Sequence, residues 1–191
     1  MSNWFMDVDF SKVNVTHRWL GYDMDIIEKA RVFATAAHAS AAQLRKYTNE
    51  PYIVHPAEVA GIVDSIEGAT AEMVAAAWLH DVVEDTGVTI EIIRAEFGEK
   101  VAELVGWLTD VSRPDHGNRA ARKAIDRAHT AMASAEAQTI KLADLISNCT
   151  SIVEHDENFA KTYLEEKRLL LEVLTKGDST LWQRASKIVA K

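Results

Sequence analysis

The chain has 191 residues, 48% hydrophobic and 26% charged, and a net charge of −8 from 21 Lys+Arg against 29 Asp+Glu. That length suits one domain, spanning 1–191, with a sizeable core. The acidic balance argues against a duplex nucleic-acid binder, which needs a broad basic footprint.

The N-terminal stretch MSNWFMDVDF is acidic and lacks the basic start and apolar run of a signal peptide. Asp25 and Glu28 then form a candidate capping pair for a long helix over 23–46, with Ala30, Phe33, Ala34, Ala37, Ala41 and Leu44 on one face. Pro51 and Pro56 break the pattern in YTNEPYIVHP, and Pro56 can open a second helix that Gly68 ends. Thr70 is placed to cap a third helix, which runs through WLHDVVEDTG until Gly87.

Further helical periodicity covers 89–96, 99–111, 119–133, 136–153, 157–175 and 179–190, with SRPDHGN (112–118) as a linker. Asn118 and Asp178 or Ser179 read as caps. The expected fold is all-α, a compact bundle of about nine helices. The longest apolar run, MVAAAWL, is far shorter than the roughly 18 residues of a membrane span. The lone cysteine, Cys149, excludes an intrachain disulfide and suits a reducing compartment, so the expected location is cytoplasmic.

The polar groups that follow the apolar run at 73–79 raise the functional question. On a continuous helix Glu84 lies one turn beyond His80, and Asp85 one turn beyond Asp81. One imidazole and three carboxylates in a patch suit a divalent ion such as Mn, Fe or Zn. They also suit a solvated helix end, although acidic groups carry the wrong sign for a C-terminus. Spacing alone leaves both readings open.

His38 stands amid alanines in ATAAHASAAQ, either as a packed side chain or as a ligand. In IKLADLISN, Lys141, Asp144 and Asn148 share a helix face. An Asp in so apolar a segment needs a cation nearby, whether a metal or Lys141 one turn away. The basic residues Arg119, Arg122, Lys123 and Arg127 read first as a solvated helix face, and second as a rim that attracts polyphosphate. Trp78 and Trp107 read as packing, whereas Trp4, Trp19 and Trp182 lie near the chain ends, as anchors for the termini or a dimer contact. A homo-oligomer is left open.

His38, HD at 80–81 and Asp144, in this order, resemble the metal-binding signature of the HD-domain phosphohydrolases. RKYTNEPYIVHP (45–56), AAAWLHDVVEDTGVT (75–89) and KLADLISN (141–148) are similar to the ppGpp-hydrolase domain of RelA/SpoT-type proteins, and most of all to the free-standing small alarmone hydrolases. The resemblance spans roughly residues 26–175. It implies one Mn²⁺ held by His38, His80, Asp81 and Asp144, with Glu84 and Asp85 activating the attacking water. It also implies a substrate grip from Arg45, Lys46, Lys141 and Asn148, with His55 bordering the metal or phosphates and Tyr163 closing the pocket.

The implied reaction is hydrolysis of (p)ppGpp at the 3′-pyrophosphate, a small-molecule substrate with no nucleic-acid or membrane partner. The alternatives are an HD phosphohydrolase for another nucleotide, such as a 5′-nucleotidase or dinucleotide phosphatase, and a non-catalytic alarmone-binding regulator. Two departures stand out. His38 and Gln43 are five apart where the family has about three, so a bulge or loop is expected between them. Leu145 and Ile146 replace polar residues, which implies an altered pocket wall.

Overall fold

A computed structural model describes residues 24–190, with the side chains of Glu154, Glu157 and Asn158 set aside. The expectations placed on the N-terminal stretch, Trp4 and Trp19 lie outside the described residues. The fold is all-α, as expected. Its helices are α1 (Ile26–Ser40), α2 (Val54–Asp64), α3 (Ala71–Leu79), α4 (Val82–Asp85), α5 (Ile90–Phe97), α6 (Glu99–Leu108), α7 (Arg119–Met132), α8 (Ala135–His155), α9 (Glu157–Leu171) and α10 (Ser179–Val189).

Two helices form the centre because their sequences are apolar on nearly every side. On α3, Met73, Val74, Ala75, Ala76, Ala77 and Leu79 are all buried. On α8, Ile140, Leu142, Ala143, Leu145, Ile146 and Cys149 are buried as well. The small residues Ala30, Ala34 and Ala37 of α1 allow close approach to the alanines of α3. Helix α2 packs on α3 and α8, α6 joins the same two, and α9 and α10 cover the rest of α8. Side chains accept from the first-turn amides at Asp25, Thr70, Asn118, Ser134, Asp156 and Asp178, each such cap contributing about 1 kcal/mol. Asp178 rather than Ser179 is therefore the last cap.

Two expected helices end early, for reasons that place the site. Helix α1 stops at Ser40, not near residue 46. Gln43 donates its amide to the His38 carbonyl (3.2 Å) and Ala42 to that of Ala39 (3.0 Å), with Ala42 at φ 50°. This is the paired terminal bonding that usually recruits glycine, with alanine in the left-handed position at a cost of about 1 kcal/mol. The segment 41–53 that follows is irregular, held by one antiparallel bridge between Leu44 and Pro51. It absorbs the spacing departure between His38 and Gln43, so Arg45 lies off the helix.

The second break splits the expected third helix. It ends at Leu79, and a single turn, α4, starts at Val82 with Asp81 at φ −99°, ψ −5°. His80 and Asp81 thus occupy the junction itself, and the continuous-helix geometry expected for them is corrected accordingly. Away from the site, a third expected helix, α2, also ends early, at Asp64 before Gly68, whose φ of 81° serves the turn beyond. The 112–118 segment contains a short 3₁₀ turn and is tied back to α7, because the amides of Val111 and Ser112 both donate to buried Asp126 (3.1 and 2.8 Å).

Candidate metal centre and cleft

His55, in the first turn of α2, His80 and Asp81, at the α3–α4 junction, and Asp144, on α8, converge on one buried point. The Nε2 atoms of His55 and His80 are 3.2 Å apart. Asp81 Oδ2 lies 3.1 Å from His80 Nε2 and 3.6 Å from His55 Nε2. Asp144 Oδ1 lies 3.2 Å from His55 Nε2 and 3.8 Å from His80 Nε2.

The hydrogen bonds on the far side of each ring fix which nitrogen carries the proton. His80 Nδ1 is 2.8 Å from the Ala77 carbonyl, which only accepts, so Nδ1 is the donor. His55 Nδ1 is 3.0 Å from Ser147 Oγ, whose own proton goes to Glu58 Oε2 (2.7 Å), so this Nδ1 donates as well. With Nδ1 the donor on both rings, each Nε2 faces the other and two carboxylates. Such a set calls for a positive charge at its centre, a metal ion or a proton. Ligands about 2.0–2.2 Å from a common ion stand about 3.0–3.5 Å apart, and His55, His80 and Asp81 form a group that could hold a divalent ion, with Asp144 alongside at 3.2 and 3.8 Å from the two imidazoles. The outer bonds through Ala77, Ser147 and Glu58 are the support that orients ligating imidazoles.

Without an ion, a proton on His80 takes the place of the cation. Burial opposes a proton on His80, but Asp81 and Asp144 outweigh it and raise the imidazole to about 9. Burial would likewise raise Asp144, yet Lys141 and the two histidines hold its carboxyl well below the ordinary range. Lys141 Nζ pairs with Asp144 Oδ2 at 3.2 Å, leaving Oδ1 for the cluster. The ordinary ion pair and the metal-type arrangement are thus two ends of one carboxylate.

His38, expected among the ligands, is not part of this group, and His55 stands in its place. His38 is 1% exposed and lies against the Tyr52 ring, with centroids 4.8 Å apart. Its Nδ1 donates to Gln43 Oε1 (2.7 Å), while Gln43 Nε2 donates to Asp85 Oδ2 (2.8 Å). The carboxylate fixes the amide's orientation and hence the tautomer of His38. Its Nε2 is buried without a partner.

A cleft opens from the cluster, lined in part by Tyr52, Glu84, Asp85, Lys141, Asn148 and Lys167. Glu84 stands at its solvent-facing rim and accepts from the Asp110 amide. Partial removal from water, opposed by Lys141 and reinforced by Asp110 and Asp81, pushes the Glu84 carboxyl up to about 7. Asn148 donates to Asp144 Oδ1 (2.6 Å) and accepts from Arg45 (3.3 Å). Lys46 is exposed, 3.1 Å from the Tyr47 hydroxyl and 4.0 Å from Asp156 Oδ2, and does not line the cleft. Tyr163 is 7% exposed, with Lys167 Nζ 4.8 Å above its ring.

Leu145 and Ile146, expected to alter the pocket wall, are 0% and 1% exposed within the core, and Asp144 and Asn148 form the wall at this turn. Tyr52, whose hydroxyl donates to Asp81 Oδ2 (2.6 Å), was not singled out by the sequence reading although it sits inside PYIVHP. Ser147 and Glu58 carried no sequence signal. Lys123 and Arg127, read first as a solvated face, line the cleft. Trp107 stacks on His129 at 4.8 Å, and Trp182 donates to the Leu171 carbonyl (3.1 Å), so both pack as side chains within the described fold.

An all-α bundle with a buried two-histidine, two-aspartate cluster under a polar cleft defines a metal-dependent class of protein. The chain belongs to the HD-domain family, whose model matches residues 30–170. It is 48% identical to a GTP pyrophosphokinase of Myxococcus xanthus over 67 residues, 35% of this chain and 8% of that protein. It is 48% identical over 65 residues to a probable guanosine-3′,5′-bis(diphosphate) 3′-pyrophosphohydrolase of Synechocystis sp., 34% of this chain and 8% of that one. The match therefore spans less than a tenth of the length of these relatives. Among solved structures, one described as a metazoan ortholog of SpoT that hydrolyzes ppGpp superposes with a TM-score of 0.76, at 26% identity, over 87% of this chain and 95% of the other. No helix among the described residues is long and apolar enough to cross a membrane.

Proposed function

We propose that this protein hydrolyses (p)ppGpp at the 3′-pyrophosphate, acting in the cytoplasm on the free nucleotide. The observation that carries the reading is the setting of Glu84 and Asp85, one turn past the His80–Asp81 junction in a cleft that also presents Lys141 and Asn148. The likeness to the SpoT ortholog over most of the chain supports the substrate class.

In this reading His55, His80, Asp81 and Asp144 hold one ion, which we assign as Mn²⁺ because two imidazoles and two carboxylates suit a borderline divalent metal. When bound, such an ion lowers the pKa of water to about 7 and polarises phosphoryl oxygens. The chain's own residues do the rest. Glu84 takes the proton of the attacking water, and Asp85, held by Gln43, orients that water. An oxygen–phosphorus bond forms from water while the bond between phosphorus and the 3′-oxygen breaks. The 3′-oxygen takes up the proton that Glu84 accepted from water, and the products are pyrophosphate and GDP or GTP. Lys141 offsets charge that develops on the phosphoryl oxygens. Arg45 and Asn148 contact the nucleoside, Tyr163 lies beneath the cleft, and Lys46 stands outside it.

The test is incubation with ppGpp and a panel of other nucleotides, with Mn²⁺ or with EDTA, followed by separation of products. Mn²⁺-dependent pyrophosphate release from ppGpp is expected. Orthophosphate release from a different nucleotide instead would overturn the substrate while leaving the metal centre.

A second expectation concerns the brace on Asp85. Gln43→Leu keeps the side-chain volume but removes both hydrogen bonds. The expected effect is a drop in kcat of about 10–100-fold, the size typical of lost supporting bonds, with unchanged KM and metal content. A change in KM alone would show that Gln43 serves binding instead.

A further inference from the structure

Ion pairing leaves the cleft with two different ends. Along α8, Asn148 lies one turn beyond Asp144 and bonds Arg45, whereas Lys141 lies one turn before it and faces α7 and α9. On that second side Lys123 is committed to Asp110 (2.7 Å), and Glu166 is held by Arg119 through two bonds of 2.6 and 2.7 Å. Arg127 on α7 and Lys167 on α9 also line the cleft, yet among the described residues neither makes an ion pair or hydrogen bond. The Lys167 ammonium rests only over the Tyr163 ring. Burial is the main reason its pKa is lowered, with Lys141 and Lys123 adding to it against the pull of Asp144, and a bound anion would offset that cost.

We propose that Arg127 and Lys167 form the seat for the distal phosphate of the pyrophosphoryl group that the reaction releases. This rests on the reaction proposed above and assigns the orientation of its substrate. The nucleoside lies toward Arg45 and Asn148, the attacked phosphorus lies at the cluster, and the distal phosphate reaches across to α7 and α9. The acidic side chains nearest the seat have partners of their own: Glu166 is held by Arg119, Asp110 by Lys123, and Asp126 accepts from Val111 and Ser112. Two cations on facing helices suit a multiply charged group better than a nucleobase.

The experiment is calorimetric titration of inorganic pyrophosphate into the Mn²⁺-loaded full chain. Arg127→Met and Lys167→Met keep the aliphatic stems and remove the charges. Each is expected to weaken pyrophosphate binding by about tenfold at equal metal content, the scale of one charge-assisted contact, and the double variant by more. Arg168→Ala makes the same change in net charge on the exposed outer face of α9, where Arg168 pairs with Glu165. It is expected to bind pyrophosphate as the native protein does.

Native-like affinity in both Met variants, or an equal loss in Arg168→Ala, overturns the seat. The outcome is separable from that of the reaction. Hydrolysis of ppGpp with variants that bind pyrophosphate normally sinks the seat alone. Pyrophosphate binding that depends on both cations, in a protein inert toward ppGpp, keeps the seat and sinks the reaction.

Discussion

His55→Ala is expected to strip the purified protein of bound Mn²⁺, whereas His38→Ala is expected to keep it. The contrast is sharp because the two histidines differ in what their free nitrogens face. His55 Nε2 lies 3.2 Å from both His80 Nε2 and Asp144 Oδ1, inside the donor set. His38 stands outside that set, bonded to Gln43 and through it to Asp85, and packed on Tyr52. Removing a direct donor should cost more than the roughly 10–100-fold in affinity that loss of a supporting group costs. Metal content after gel filtration checks this directly. The rise in melting temperature on adding Mn²⁺ checks it independently, since an ion at 100 times its Kd stabilises by about 2.7 kcal/mol. Native and His38→Ala protein should show the rise, and His55→Ala should not. The reverse pattern would restore His38 as the ligand and remove His55.

Glu84→Gln should leave metal content unchanged and lower kcat/KM by about 10²–10⁴-fold, the usual contribution of a general base. The pH profile supplies the sign. A base works as the carboxylate, and the Glu84 carboxyl is raised to about 7, so native activity should climb as pH rises through that value and then level. Below it the group is protonated and cannot accept the proton of water. In Glu84→Gln the remaining activity should lose this acidic limb. Full activity in the variant, or an unchanged limb, would show that another group takes the proton.

Much of this architecture is legible in the sequence because it follows from local rules. Apolar periodicity and side-chain caps at Asp25, Thr70, Asn118 and Asp178 mark real helices, since both act within a few residues. His80, Asp81 and Asp144, which the structure brings together, stand out in the sequence because polar groups at apolar positions demand a partner. His38 is expected in the cluster from a likeness of motif order, and the structure brings His55 there in its place. Periodicity runs α1 on toward Lys46, whereas bonds from Gln43 and Ala42 stop it at Ser40 with no glycine or proline to announce the stop. The α3–α4 break is equally silent. The supports, Ser147 and Glu58 for His55 and Gln43 for Asp85, depend on tertiary placement, and short-range spacing carries no trace of them. Lys123 and Arg127 read as a solvated face because four basic residues on a polar helix look alike until a second helix stands opposite.

The irregular segment 41–53 has one further consequence. Its side chains reach four separate parts of the fold. Gln43 meets Asp85 on α4, Arg45 meets Asn148 on α8, Tyr47 meets Asp156 (3.1 Å) before α9, and Tyr52 meets Asp81 (2.6 Å) at the junction. A segment this long without regular structure is expensive to order, and here its order comes from contacts to the helices around the cleft. Descendants of such a chain have a single short stretch through which to alter several corners of the cleft together. The helices, busy with the core, can be inherited unchanged while selectivity diverges.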